Sequence, residues 1–286
     1  MTRSIPTPAA QLPRYARVLS IAGSDSGGGA GIQADLKTMS ALGCYGMTAI
    51  TALTAQNTQG VRGIHGVPAA FLQDQLDAVL QDIGTDAVKI GMLHAPEVVA
   101  VVANTIDRYQ LGNVVLDPVM VATSGDRLIA EATVGELVRE LFPRSALITP
   151  NLDEAGLLLG RRIGGADELE QAAQDLLAMG APAVLVKGGH LPGDEVVDLL
   201  ALADGTRLRL ASPRIHTHNG HGTGCTLSSA IACQLALGHG LPEAVQLARQ
   251  YILGAIASGA DVHTGQGHGP LNHGWQVQPQ VVFRAE

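Results

Sequence analysis

Short apolar runs alternate with longer amphipathic stretches along most of the chain. The short runs contain few polar residues, which is typical of strands buried on both faces of a parallel sheet. The predicted strands are 17–22, 47–53, 87–90, 114–116, 146–148 and 183–186. The predicted helices are 31–42, 69–83, 96–109, 131–141, 167–179, 222–237 and 242–257. This alternation predicts a three-layer α/β/α fold with a mostly parallel central sheet.

Two further apolar runs, 196–203 and 207–210, are joined by the turn sequence Ala203-Asp204-Gly205. We therefore expect a small antiparallel hairpin at one edge of the sheet. The glycine-rich stretch after Ser258 is predicted to be a loop. Because no linker or repeat interrupts the pattern, the sequence predicts one domain over residues 17–286, preceded by a flexible N-terminal extension, residues 1–16.

The composition argues against several classes of protein. A net charge of −8 argues against a nucleic-acid partner, because binding to a phosphate backbone needs a basic face. No apolar run is long enough to span a membrane, and the first residues lack the apolar centre of an export signal. The three cysteines, Cys44, Cys225 and Cys233, form no C-x-x-C pair, which indicates a reducing, cytoplasmic setting.

A glycine-rich segment, residues 23–31, follows the first predicted strand, at the end of the sheet where open parallel folds bind ligands. Its glycines would let backbone amides approach an anion or a flat ring. Residues 29–34 match a dinucleotide-binding pattern, but no acidic residue follows at about 20 positions, which counts against an NAD-dependent oxidoreductase. No lysine follows a glycine, so a Walker P-loop is excluded.

A second glycine-rich segment, residues 219–226, runs into a predicted apolar helix. The free amides at a helix start would stabilise charge on a transferring phosphoryl group, so we predict an anion site there. Cys225 falls in the first turn, where the helix dipole favours a thiolate, and is therefore expected to titrate below a free thiol. The alternative is an ordinary helix start with a packed cysteine.

Polar residues follow several other predicted strands. Asp117 and Lys187 suit metal and phosphate binding. Within residues 149–154, Asn151 could orient a phosphate and Glu154 could hold Mg²⁺ through waters, although the segment equally fits a helix start with acidic residues. The carboxamide of Gln56 could pair with the amino group and ring nitrogen of an aminopyrimidine, or could simply cap its own loop.

These segments, taken in order, resemble the hydroxymethylpyrimidine and phosphomethylpyrimidine kinase family of thiamin biosynthesis, a branch of the ribokinase-like superfamily. The resemblance extends from about residue 18 to residue 275. The matching segments are 22–25, 28–35, 50–58, 89–93, 116–120, 124–126, 148–151, 186–190 and 221–228.

The resemblance implies a homodimeric enzyme that uses ATP and Mg²⁺ to phosphorylate 4-amino-5-hydroxymethyl-2-methylpyrimidine and then its monophosphate. It implies three groups of site residues. Gln56, Gly23, Asp35, Met92 and Val119 would bind the pyrimidine; Asn151, Lys187 and Thr223 would bind ATP; Glu154 and Asp117 would hold the metal. Gly222, Thr223 and Gly224 would form the anion hole, and Cys225 would stand where related sugar kinases carry an aspartate base.

Two alternatives remain open at the level of sequence. Relatives that share the Gly-Thr-Gly-Cys loop include pyridoxal kinases, whose substrate also carries a hydroxymethyl group on a ring. A non-catalytic pyrimidine-sensing module would keep the Gln56 pocket and lose the phosphoryl-transfer residues, yet this chain retains both sets.

Overall fold

The computed structural model describes residues 12–120, 129, 131–189, 191 and 193–284. Its strands are β1 (Arg14–Tyr15), β2 (Arg17–Asp25), β3 (Tyr45–Asn57), β4 (Gly60–Gly66), β5 (Ala87–Ile90), β6 (Val114–Leu116), β7 (Leu147–Ile148), β8 (Ala183–Val186), β9 (Glu195–Leu202), β10 (Arg207–Pro213) and β11 (Val282–Phe283). Its helices are α1 (Gly31–Ala41), α2 (Ala69–Asp82), α3 (Pro96–Tyr109), α4 (Glu131–Leu141), α5 (Leu152–Leu159), α6 (Leu169–Ala178), α7 (Thr223–Ala236) and α8 (Leu241–Gly259).

Within the described residues, nine strands form one sheet in the order β10-β9-β8-β7-β6-β5-β2-β3-β4. The neighbours from β8 to β3 pair in parallel, which confirms the predicted sheet. The predicted hairpin is β9–β10 at one edge. A second antiparallel hairpin, β3–β4, lies at the other edge and was not predicted. Its outer strand has three glycines and lies largely exposed, so it lacks the apolar run of a buried strand.

Two apolar layers cover the two faces of the sheet, as the three-layer prediction requires. Successive residues of β2 alternate between them: Leu19 packs with α2 to α6, whereas Val18 packs with α1, α7 and α8. Helix α7 is buried at every position from 226 to 236, which accounts for its nearly uninterrupted small and apolar sequence. Its N-terminus therefore has a fixed position relative to the ends of the strands.

Several predicted boundaries differ from the structure. The first two large strands continue to Asp25 and Asn57, beyond the predicted ends at 22 and 53. Residues 14–15, placed in the flexible extension, form β1 and pair with β11 near the C-terminus. The motif at 124–126 and His190 lie outside the described residues. Among the helices of the described chain, none is long and apolar enough to cross a membrane.

Candidate active site

A cavity of about 720 Å³ opens where the parallel strands end. This is the position at which open α/β sheets bind ligands. One end is lined by Gly23, Gln56, Met92 and Val119, and the middle by Asp117, Lys187 and the start of α7. The other end has a mainly apolar wall that includes Val196, Pro213, Ile215, Leu227, Ile252, Leu253 and Ile256. The predicted site residues therefore share one cavity, with the exception of Asp35.

The loop before α7 has the form of an anion site. Gly222 has φ +88, and a Cβ at this position would lie 1.8 Å from the carbonyl oxygen of Gly29, so only glycine fits. No side chain caps the helix. The amides of Gly224 and Cys225 have no hydrogen-bond partner within the described part of the chain, and both residues line the cavity. An anionic ligand would satisfy them.

Cys225 lines the cavity beside these amides. Burial raises the pKa of its thiol to about 11, an effect that Lys89 partly offsets and that Asp35 and Asp117 strengthen. The expectation that Cys225 titrates below a free thiol is therefore wrong. The helix terminus does favour the thiolate, but the loss of water at this packed position outweighs it.

Lys187 and Asp117 form an ion pair in the middle of the cavity, with 2.8 Å between Nζ and Oδ1. Thr149 donates a hydrogen bond to the same carboxylate oxygen. Although burial acts to lower it, the pKa of Lys187 is raised by the Asp117 and Glu154 carboxylates. A Cβ on Gly224 would lie 3.2 Å from Lys187 Nζ, so the absence of a side chain lets the ion pair approach the start of α7.

Asn151 and Glu154 begin α5 with a capping box, in which each side chain accepts a hydrogen bond from the other residue's amide. The interpretation of this segment as a helix start is thus confirmed. Both residues also line the cavity. Burial raises the pKa of Glu154 to about 7; Lys187 opposes this effect and Asp117 adds to it.

No group of three or more His, Cys, Asp or Glu side chains within the described chain is arranged to hold a metal ion. Mg²⁺ in nucleotide sites needs only one or two carboxylates, because phosphates and waters complete its shell. Asp117 and Glu154 present oxygen ligands to the cavity, and the raised pKa of Glu154 marks a carboxylate that a nearby cation would stabilise. These two residues therefore fit a magnesium ion brought in with a nucleotide.

Gln56 lies at the far end of β3 and lines the cavity. The Ser26 hydroxyl bonds both the amide and the carbonyl of Gln56, which fixes its backbone. Its side-chain Oε1 accepts a hydrogen bond from Thr54, and its Nε2 lies 3.4 Å from Nε2 of His221. The structure thus places the carboxamide at the cavity wall, together with Gly23, Met92 and Val119.

Asp35 does not reach the cavity wall, and the expectation that it lines the pyrimidine pocket is corrected. It is fully buried in α1 and bonds both Lys89 and Ser20. Lys89 is equally buried but lines the cavity. Sequence reasoning did not select Lys89, although a lysine within an otherwise apolar strand was an available signal.

Asp25 and His221 are two further site residues that sequence reasoning missed. The Asp25 carboxylate accepts hydrogen bonds from the amides of Gly27, Gly29 and Ala30, and lies 2.9 Å from His221 Nε2. Burial acts to raise the pKa of Asp25, but the hydrogen bonds from His221 and the loop amides hold it below its ordinary value. This contact joins the first glycine-rich segment to the anion loop.

Comparison with known proteins supplies the family. The family model described as phosphomethylpyrimidine kinase matches residues 25–272. A hydroxymethylpyrimidine/phosphomethylpyrimidine kinase of Rhizobium meliloti is 53% identical over 257 residues, covering 89% of this chain and 96% of the relative. The corresponding enzyme of Escherichia coli is 46% identical over 256 residues, with 89% and 96% coverage.

Solved structures show the same fold. The ADP complex of Bacillus subtilis pyridoxal kinase superimposes with a TM-score of 0.84 at 37% identity, covering 91% of this chain and 98% of that one. A phosphomethylpyrimidine kinase of Clostridium difficile gives a TM-score of 0.74 at 42% identity, with 84% and 99% coverage. The mostly parallel sheet, the site at its strand ends and these matches agree: the chain is a phosphotransferase that belongs to the phosphomethylpyrimidine kinase family.

Proposed function

We propose that this protein transfers the γ-phosphoryl group of ATP to the hydroxymethyl group of 4-amino-5-hydroxymethyl-2-methylpyrimidine, and then a second one to the resulting monophosphate. The observation that carries the proposal is that one cavity holds Gln56, the anion loop with Cys225, and the Lys187–Asp117 pair. A pyrimidine-sensing module would need only the first of these. The high identity to enzymes named for this activity supports the same assignment.

The pyrimidine occupies the end of the cavity lined by Gln56, Gly23, Met92 and Val119. A carboxamide can donate one hydrogen bond and accept another, which matches the adjacent ring nitrogen and amino group. Met92 is held in place by Thr51, whose hydroxyl donates to the Met92 carbonyl. The apolar side chains of Met92 and Val119 suit the faces and the methyl group of the ring.

ATP occupies the remaining part of the cavity. Its base fits the apolar end near Ile215 and Ile252, and its phosphates extend towards Lys187, Asn151 and Thr223 at the start of α7. Mg²⁺ held by Glu154 and Asp117 neutralises charge on the phosphates when it is bound. The anion hole of Gly222, Thr223 and Gly224 stabilises the transferring group through backbone amides.

Cys225 accepts the proton of the first substrate. In the ionised fraction of the enzyme, its thiolate takes the hydroxyl proton as the hydroxymethyl oxygen bonds to the γ-phosphorus and the bond to the ADP oxygen breaks. The resulting thiol later returns the proton to solvent. Because phosphoryl transfer depends mainly on positioning and electrostatics, even a minor thiolate fraction can serve.

We further propose that the protein forms a homodimer and is located in the cytoplasm. Leu53 on one face of the β3–β4 edge, Ile64 on the other face and Phe71 at the adjoining start of α2 are exposed apolar side chains, which favours this edge as the contact with a second copy. Cys44, Cys225 and Cys233 are all free thiols, which suits a reducing compartment. Light scattering is expected to give twice the chain mass, and Ile64→Lys to shift the protein towards monomer.

The assignment is tested by incubating purified protein with the hydroxymethylpyrimidine, ATP and Mg²⁺ and weighing the products by mass spectrometry. We expect the monophosphate first and the diphosphate later. Pyridoxal is tested in parallel, because the fold similarity to a pyridoxal kinase favours it as the second candidate. A higher kcat/KM for pyridoxal, or no phosphorylated pyrimidine, would overturn the assignment.

A further inference from the structure

Helix α1 packs against helix α7 next to Cys225. Gly31, at the start of α1, and Cys225, in the first turn of α7, line the cavity side by side. One turn further along both helices, the Ser229 hydroxyl donates to Asp35 Oδ1 over 2.7 Å. Residues four apart lie on the same helix face, so Gly31 and Asp35 both face α7, while Cys225 and Ser229 both face α1. The Asp35 carboxylate is therefore fixed one turn below the thiol.

Lys89 extends from β5 into the same space. Its Nζ lies 2.8 and 2.9 Å from the two carboxylate oxygens of Asp35, and Ser20 donates a further hydrogen bond to that carboxylate. Both charged side chains are fully buried, yet Lys89 also forms part of the cavity wall. Buried ion pairs contribute little net stability, because desolvation offsets their attraction, so stability alone does not account for this one.

We propose that Lys89, oriented by Asp35, is a positioning residue that holds a positive charge beside Cys225 and stabilises its thiolate. The charged groups that act on the thiol are Lys89 on β5, Asp35 on α1, Asp117 after β6 and Lys187 after β8. Lys89 outweighs Asp35 in its effect on the thiol. Although the pair is neutral as a whole, its Lys89 charge favours the thiolate at an otherwise desolvated sulfur.

The proposal is tested by the rate at which iodoacetamide alkylates Cys225 between pH 7 and 9, with the modified peptide identified by mass spectrometry. The thiolate is the reactive form and is the minor species there, so the rate changes in the same direction as the ionisation constant, by a smaller factor because a more basic thiolate is the stronger nucleophile. Cys44 and Cys233 are buried; Cys233 lies on the same tryptic peptide as Cys225, so the masses of fragment ions locate the alkylated cysteine.

The variants have effects of opposite sign. Lys89→Met removes the favourable charge and is expected to slow alkylation at least about tenfold. Asp35→Asn removes the unfavourable charge and is expected to accelerate it by a similar factor. The double variant Lys89→Met/Asp35→Asn, which leaves no unpaired charge if a single variant fails to fold, is expected to react more slowly than the parent. Arg108→Met, in an exposed ion pair with Asp77, is the control and should leave the rate unchanged.

A structural role for the ion pair would change the rate in the same direction in both single variants, or leave it unchanged, and either result overturns the proposal. A double variant that reacts as fast as the parent, or faster, also overturns it. The effect on catalysis rests on the proposed function of Cys225 as proton acceptor. If alkylation responds as expected while kcat does not, the electrostatic inference stands and the catalytic assignment of Cys225 fails.

Discussion

Two lysine–carboxylate pairs lie at or next to the cavity and differ in their surroundings. Lys89–Asp35 and Lys187–Asp117 each have 2.8 Å between nitrogen and oxygen; Lys89 lies in β5 and Lys187 directly follows β8. In the first pair both side chains are wholly closed to water. In the second pair Lys187 keeps 12% of its side-chain surface exposed, and Glu154 adds another carboxylate.

Because their surroundings differ, the two ion pairs can have different functions. The first pair is balanced, one positive charge against one negative, and serines on two sides hold its carboxylate, so it acts as a fixed support for Cys225. The second pair has an excess of negative charge and faces the cavity, so it can bind a nucleotide together with its cation.

Of the variants that test this difference, Lys187→Met is expected to have the largest effect. Loss of a donor directed at transferring phosphoryl oxygens should lower kcat by about 10²–10³-fold and raise the KM for ATP. The KM for the pyrimidine should change little, because Lys187 is assigned to the other half of the cavity. Steady-state kinetics with each substrate varied in turn checks this. Equal loss of affinity for both substrates would contradict the division of the cavity.

Gln56→Ala is expected to have a smaller effect, and to change the KM for the pyrimidine instead of the KM for ATP. Loss of a paired contact worth about 1–3 kcal/mol should raise the KM for the pyrimidine by roughly 5–150-fold and leave the KM for ATP unchanged. Gln59→Ala, an exposed glutamine three residues away, is the matched control. If the pyrimidine KM is unchanged in Gln56→Ala, the carboxamide caps its own loop and does not bind the ring.

Glu154→Gln is expected to have the smallest effect on rate. It tests whether the charge of Glu154 contributes to Mg²⁺ binding. The Mg²⁺ concentration needed for half-maximal activity should rise, because the amide keeps the capping box but lacks the charge. Glu170→Gln, at an exposed position in the first turn of α6, is the control. An unchanged Mg²⁺ requirement would leave Glu154 with a helix-capping function alone.

The same variant makes a prediction about stability. The folded protein binds the Glu154 proton more tightly than the unfolded chain does, since its pKa is about 7 against an ordinary 4.5. Parent stability should therefore fall as pH rises from about 4.5 to 7, and Glu154→Gln should remove this loss. Thermal melting at pH 8 is expected to show the variant a few degrees above the parent. A lower melting temperature for the variant would contradict this.

Most of the fold followed from the sequence, because buried strands and amphipathic helices leave apolar patterns of different period. Strand β4 did not, because an exposed edge strand lacks such a pattern. The rule that ligands bind at strand ends located Gln56, Asp117 and Lys187. It could not reveal that Asp35 lies behind Lys89, or that Cys225 is desolvated, because both depend on how closely α1 packs against α7.

If Cys225 removes a proton in the first transfer, the two transfers should respond differently to Cys225→Ser. The first acceptor is an alcohol, whereas the second is a phosphate that is already ionised at neutral pH, with a second pKa of about 6. A proton acceptor is therefore needed for the first transfer only. Cys44→Ser, at a buried position away from the cavity, serves as the control.

The rates of the two steps are measured separately, with the pyrimidine alcohol and with its purified monophosphate as substrates. We expect Cys225→Ser to slow the first transfer by about 10²–10⁴-fold and the second by less than about tenfold. Equal slowing of both transfers, or a first transfer within about threefold of the parent rate, would contradict it, and Cys225 would then be only a packed residue beneath the anion hole.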